Sequence, residues 1–154
     1  MNQTFKTSQG FTLVEVIISI AILSVSSVVA LQLFITAQNL NTFSRHSDIA
    51  SVLATNTIEE IKSYDDLASL FSKTSSYESV DDGYRQIIYL DVNFQVSDPT
   101  SSNNPSNYSL NTDLTSTEQL GLYHIHTSVI DLTEDKVLAD YLTAHYFNQE
   151  VSND

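Results

Sequence analysis

Glu15 is the residue of greatest chemical interest, because it is the only charged side chain within residues 11–35. An ionisable group inside a segment of membrane length is costly unless a group of opposite charge neutralises it. The position of Glu15 therefore predicts a cationic partner. The alternative interpretation is a plain membrane anchor, in which a glutamate at the membrane edge reaches the lipid headgroups.

Two stretches near the carboxyl end alternate apolar and polar residues, at residues 123–129 and 138–146. This period of two predicts two strands, and residues 133–136 between them predict a turn. If Leu132 faces Val137 across the turn, one face of the hairpin is mostly apolar and packs on a helix. That face would carry Ile125, Val129, Leu142 and Ala144. Truncating Leu142 should then destabilise the fold, whereas His124→Ala on the opposite face should not.

The same register brings three histidines together on the solvent face. His124 lies opposite His145, and His126 is two residues further along its strand. Imidazole is a common ligand of zinc and copper, so these three side chains are candidate metal ligands. No carboxylate is evident on that face to orient the rings, which favours an ordinary polar strand face. No cofactor is predicted.

A membrane-spanning helix is predicted for residues 11–35, which contain no Gly or Pro. A helix of this length extends about 37 Å, enough to cross a bilayer core of about 30 Å. The preceding residues 1–10 carry Lys6 as their only charged side chain. The positive-inside rule places this leader in the cytoplasm and the carboxyl-terminal part of the chain on the other side.

The string Gly10-Phe11-Thr12-Leu13-Val14-Glu15-Val16 resembles the processing site of type IV prepilins and pseudopilins. The resemblance implies that prepilin peptidase cuts after Gly10 and methylates the new amino terminus, Phe11. It also implies that Glu15 neutralises the amino group of Phe11 on a neighbouring subunit. Residues 50–62 resemble the helix end of minor pilins and minor pseudopilins more than that of major subunits.

Composition narrows the possible functions. The chain has 154 residues with 19 Asp and Glu against 6 Lys and Arg, for a net charge of −13, and it has no cysteine. This acidity argues against direct binding of nucleic acid. Disulfides and cysteine-based zinc sites are excluded. The chain contains no nucleophile-elbow, HExxH or phosphate-binding glycine motif, so no enzymatic activity is predicted. Glu78, Asp81 and Asp82 could bind calcium, but their spacing suits a solvated acidic turn equally well.

The predicted fold is α+β and pilin-like, with a long amino-terminal helix packed on a small antiparallel sheet. The leader occupies residues 1–10, the helix residues 11–63 and the head domain residues 64–154. Beyond the membrane, apolar or small residues recur at helical spacing from Leu40 to Ile61, which predicts a stripe that packs on the head. A strand is predicted from Ile88 to Val96 and a surface loop over residues 97–107.

These features together predict a structural minor subunit of a type IV pilus or related pseudopilus. Its expected partners are prepilin peptidase, other subunits of the filament, the membrane platform of the assembly machine and membrane lipid. The protein would be a single-pass membrane protein that assembles at the cell surface or in the periplasm. One alternative is a filament-tip binding module that uses residues 97–117 or the histidine face. The other alternative is a plain membrane-anchored domain.

Overall fold

The computed structural model describes residues 12–74, 76–100 and 105–148, so the predicted cleavage site at Gly10 and Phe11 lies outside the described residues. The fold is α+β, as predicted, with two helices and a five-stranded antiparallel sheet in the order β1-β2-β3-β4-β5. The elements are α1 (Leu13–Lys62), α2 (Leu67–Lys73), β1 (Glu78–Val80), β2 (Gly83–Leu90), β3 (Tyr108–Ser116), β4 (Leu122–Asp131) and β5 (Lys136–Tyr146). The chain divides into two compact units, one ending at Phe43 and the other beginning at Ser44.

The first unit consists of the apolar part of α1. Among the described residues, α1 is the one helix that is long and apolar enough to cross a membrane. Its serines satisfy their hydroxyls within the helix: the Oγ atoms of Ser19, Ser24, Ser26 and Ser27 donate to carbonyls four residues earlier at 2.7–2.8 Å. A hydroxyl bonded in this way exposes no unsatisfied donor to lipid. The serines are therefore compatible with an apolar environment.

In the second unit, α1 buries one stripe made of Ala50, Ala54, Ile58 and Ile61. The steps of four, four and three residues are those of a helix face, as predicted from the sequence. The predicted start of the stripe at Leu40 is wrong, because Leu40 is 66% exposed. Ile58 and Ile61 belong to a core cluster with Leu70, Leu114, Ile125 and Phe147.

Residues 63–83 connect α1 to β2 and contain α2 and β1. Asp66 caps α2, because its carboxylate accepts hydrogen bonds from Ser69 N at 2.6 Å and Ser69 Oγ at 2.9 Å. Leu70 of α2 is buried in the core. The rings of Phe71 and Tyr77 lie 5.4 Å apart, and burial raises the pKa of Tyr77 to about 12. Tyr77 is thus a neutral packing residue at ordinary pH.

The predicted strand from Ile88 to Val96 is wrong in its limits. β2 covers Gly83–Leu90, and the chain then turns. The Asp91 carboxylate organises this turn by accepting hydrogen bonds from the backbone N–H groups of Asn93 at 2.8 Å and Gln95 at 2.9 Å. Phe94 adopts a φ of 59° within the turn, which a regular strand cannot contain. Apolar alternation continued through the turn and concealed it.

β3 was not predicted, because residues 108–116 are rich in Ser, Asn, Thr and Asp. Nevertheless β3 is the central strand, and it pairs with β2 on one side and β4 on the other. Its inward face alternates Tyr108, Leu110, Thr112 and Leu114, all buried. A buried threonine in the middle of this face breaks the apolar pattern that sequence reasoning relies on. The loop of residues 97–117 proposed as a binding surface therefore ends where β3 begins.

The β4–β5 hairpin forms, but its predicted register is wrong by one residue or more along its length. The turn closes with Asp131 opposite Lys136, not with Leu132 opposite Val137. Val129 then faces Ala139 while Ile130 faces Val137, which leaves Leu138 as the extra residue of a β-bulge. The bulge lets Leu138 and Ala139 both be buried.

The change of register reverses the two faces of β5. Leu142 lies opposite His126 on the outer face and is 69% exposed, whereas the sequence predicted it in the core. Ala144 is also exposed, and it lies opposite His124. The predicted inward orientation of Ile125 and Val129 in β4 is confirmed, because both side chains are fully buried.

We expect a soluble fragment beginning near Gln38 to fold, since the second unit contains its own core. In this fragment Leu114→Ala should lower the free energy of unfolding by about 2–5 kcal/mol, because Leu114 is 1% exposed and its truncation leaves a cavity. Leu142→Ala should change it by less than about 0.5 kcal/mol. Urea denaturation followed by circular dichroism measures both values. A larger loss for Leu142→Ala than for Leu114→Ala would contradict the observed register.

Candidate functional site

Glu15 lies at the start of α1, where it forms a reciprocal cap with Thr12. The Glu15 Oε2 atom accepts hydrogen bonds from Thr12 N at 2.9 Å and Thr12 Oγ1 at 3.1 Å. In return, Glu15 N donates to Thr12 Oγ1 at 3.3 Å. This is a capping box, in which a threonine and a glutamate three residues later satisfy each other's backbone N–H groups. It fixes the first turn of the helix.

The cap also determines where the carboxylate can act. Glu15 Oε2 is bonded to the backbone N–H of Thr12, the residue that follows Phe11 in the sequence. The other oxygen, Oε1, accepts no hydrogen bond from any residue that the structure describes. A carboxylate has enough acceptor capacity for the cap and a further cation. Glu15 can therefore receive a positive group while α1 stays capped.

The histidine group predicted from the sequence is not assembled. His124 and His126 lie on the outer face of β4, but His145 is on the opposite side of the sheet. Its ring packs edge-on against Phe147 at 4.8 Å, and its Nε2 atom is 3.4 Å from the Tyr64 carbonyl oxygen. Within residues 12–74, 76–100 and 105–148, no three His, Asp or Glu side chains are grouped to hold a metal. The predicted pairing of His124 with His145 is wrong: the turn closes two residues away from the predicted register, and the bulge in β5 then moves His145 to the other face, so that His124 lies opposite Ala144.

The outer face of the sheet carries two polar side-chain pairs that sequence reasoning missed. His126 Nε2 lies 2.6 Å from Asp140 Oδ1, and Arg85 Nε lies 2.5 Å from Asp113 Oδ1. Asp113 is also the register partner of His126. Polar side chains of Arg85, Asp113, His126 and Asp140 thus contact one another across four strands, an arrangement that stabilises neighbouring strands on a solvated face. Only the correct register could have revealed it, since each partner is distant in sequence.

A third group sits where α1 meets the β2–β3 turn. Tyr108 Oη is 3.1 Å from His46 Nδ1, and the Tyr108 ring stacks on Phe94 at a centroid distance of 4.2 Å. A depression of about 240 Å³ beside them is lined by Arg45, Asn93 and neighbouring apolar residues. The contacts of His46 explain it as a packing residue that anchors the turn.

The acidic turn before β2 is shaped by Gly83. A Cβ atom on Gly83 would lie 1.8 Å from the Leu114 carbonyl oxygen, so only glycine permits this approach of β2 to β3. Asp82 supports the same junction, because its carbonyl accepts a hydrogen bond from Ser116 N at 2.9 Å. These contacts give the turn a structural role that needs no calcium.

Comparison with known proteins identifies the amino-terminal region. Residues 5–31 match the family model described as the prokaryotic N-terminal methylation motif. The matched segment contains Gly10, Phe11 and the Thr12–Glu15 cap. Searches of curated proteins and of solved structures found no match to the chain. Residues 5–31 thus carry the signature of type IV prepilin-like proteins, and the long apolar helix with its antiparallel sheet is a pilin-like α+β arrangement.

Proposed function

We propose that this protein is a structural minor subunit of a type IV pilus or related pseudopilus. It is inserted in the membrane, cleaved after Gly10, methylated at Phe11 and then assembled into the filament or used to initiate it. The observation that carries the proposal is the methylation motif at residues 5–31, which overlaps the start of an uninterrupted helix, Leu13–Lys62.

The exposed apolar part of α1 supports an assembly role. Large side chains from Leu13 to Ile35 are between 45% and 78% exposed. A continuous apolar surface of this size must be covered by lipid or by other subunits. Lipid covers it in the membrane, and a bundle of equivalent helices covers it in the filament.

Glu15 gives the helices a way to recognise one another. After cleavage, the amino group of Phe11 on a neighbouring subunit supplies the cation that the free Oε1 atom can receive. Within an apolar bundle such a pair is costly to break, because separation leaves two uncompensated charges. The pair would set the axial position of each subunit as it joins.

The minor-subunit assignment is supported by two features of the helix. Residues 50–62 resemble the corresponding segment of minor pilins and minor pseudopilins. Many pilins carry a proline partway along the membrane helix, whereas α1 contains none. An uninterrupted helix argues against the major-subunit role.

The proposed partners follow from this assignment. They are prepilin peptidase, other subunits of the same filament, the membrane platform of the assembly machine and membrane lipid. The head domain lies outside the cytoplasm. The net charge of −13 argues against direct contact with nucleic acid.

Processing should be visible at the amino terminus. Mass spectrometry of the protein isolated from its native membrane should find Phe11 as the first residue, N-methylated. Gly10→Leu should leave the leader attached, because a bulky side chain blocks the cut. Ser8→Leu, which adds the same side chain within the leader, should be processed normally. An intact Met1 terminus beside an active peptidase would refute the assignment.

Two substitutions at Glu15 separate its role as a cap from its role as a charge. Glu15→Ala removes both, whereas Glu15→Gln keeps the capping acceptor and loses only the charge. Both variants should be inserted and cleaved, and both should fall at least about tenfold in sheared filaments, the effect of roughly 1.4 kcal/mol. Immunoblots of membrane and filament fractions measure the ratio. Wild-type assembly of the Glu15→Gln variant would show that pairing with Phe11 is not needed.

A further inference from the structure

The strand β5 forms one edge of the sheet. It pairs with β4 on one side, and no strand in the described part of the chain pairs with its other side. The opposite edge is β1, which is three residues long. β5 has 11 residues, so it offers about 36 Å of backbone donors and acceptors. It is by far the longer open edge.

Protection against strand addition is weak along most of this edge. Native proteins normally protect edges with lysine, proline, bulges or short strands. After the bulge at Leu138, residues 139–146 contain no Pro, Lys, Arg or Glu. Their one acidic group, Asp140, is paired with His126. This stretch of the edge is therefore regular, and Asp140 is its only carboxylate.

Apolar side chains are exposed along the same stretch. Leu142 is 69% exposed and Tyr146 is 53% exposed on the outer face, and Tyr141 is 40% exposed on the inner face. A strand added beside β5 would cover side chains on both faces while it completed the backbone ladder. This is the surface that β-augmentation uses.

Both ends of β5 are acidic. Glu134 and Asp135 precede its first residue, and Lys136 offsets part of their charge. At the far end Asp65 and Asp66 lie near the chain, because Asn148 N donates to the Asp65 carbonyl oxygen at 2.7 Å. The edge thus has a largely apolar middle with one carboxylate, Asp140, between two more acidic ends.

This charge distribution disfavours a second copy of the chain. Antiparallel pairing of two β5 strands would bring the Glu134–Asp135 end of one copy to the Asp65–Asp66 end of the other. Parallel pairing would superpose like ends. Either arrangement places carboxylates near carboxylates, which opposes association.

We propose that the outer edge of β5 binds an extended segment of a different protein by β-augmentation. That segment has alternating apolar residues in its middle and lysine or arginine at both ends. Backbone pairing provides the affinity, the apolar residues cover Leu142 and Tyr146 on the outer face, and the basic ends meet the acidic ends of the edge. The proposal does not depend on which filament the protein joins.

Designed peptides test the proposal on the full-length protein in nonionic detergent micelles. The probe has two lysines at each end and six alternating valines and threonines between them. One control replaces the lysines with glutamates, and another replaces a central valine with proline, which cannot donate to the ladder. Hydrogen exchange by mass spectrometry follows the amides of residues 136–146.

The lysine-ended peptide should slow exchange in β5 at least about tenfold at saturation, and added salt should weaken the effect. The two control peptides should give no protection at the same concentration. Protection by the glutamate-ended peptide, protection centred on β1 instead of β5, or no protection by any peptide would overturn the proposal.

Matched variants locate the binding surface. Leu142→Lys places a charge in the apolar middle of the edge and should weaken binding of the lysine-ended peptide at least about tenfold. Val52→Lys adds the same charge at an exposed position of α1 and should bind normally. Both side chains are exposed, so thermal unfolding should confirm that both variants fold. Equal binding by the two variants would overturn the assignment to β5.

Discussion

The head of this protein depends on one packing contact, between the buried stripe of α1 and the inner face of the sheet. At one end of the contact, Ser47 Oγ donates to the Leu138 carbonyl at 2.7 Å and His46 meets Tyr108. At the other end, Ile58 and Ile61 fill the core beside Leu114. The earlier residues of this part of α1 contact Tyr108 at the start of β3, and the later residues contact Leu114 near its end. The helix therefore runs in the same direction as β3. Ala50 and Ala54, fully buried between these ends, allow the helix to approach the strands closely.

The remaining features of the head follow from the fact that α1 covers only one of the two faces of the sheet. Only the inner face is covered, so the outer face is held by cross-strand pairs such as Arg85 with Asp113. The core beneath the helix is not purely apolar. Thr112 and Thr127 are buried register partners, and their hydroxyls have no hydrogen-bond partner among the described residues. Stability therefore rests on the two ends of the contact more than on its middle.

Buried polar residues such as Thr112 limited how much of the fold could be predicted from the sequence. The long helix and its stripe were predictable, because an apolar run and helical spacing depend on local order alone. β3 was not, since Thr112 interrupts its apolar alternation. The two faces of β5 were assigned wrongly for a different reason. The extra residue at Leu138 moves every later side chain of the strand to the opposite face, and no local sequence signal indicates the bulge. The histidine prediction failed with that register.

The assembly role of Glu15 stays a prediction, and sequence reasoning overlooked the local partner of this residue. A threonine three residues before a glutamate at the start of a helix is a recognisable capping box, and Thr12 fits it. The cap partly explains how an apolar helix accommodates a single charged side chain. It gives the carboxylate hydrogen bonds within its own chain, which the proposed membrane-inserted form would keep without a cationic partner.

The observed cap and the proposed pairing with Phe11 use different oxygen atoms of Glu15. The cap uses Oε2, and Oε1 is left without a hydrogen bond from the described residues. A capping interaction is worth about 1 kcal/mol, whereas removing one partner from a buried charge pair costs about 3–5 kcal/mol. The weaker contact keeps the helix start ordered before assembly. A stronger contact added at Oε1 would then bias the same carboxylate toward the filament without first undoing the cap.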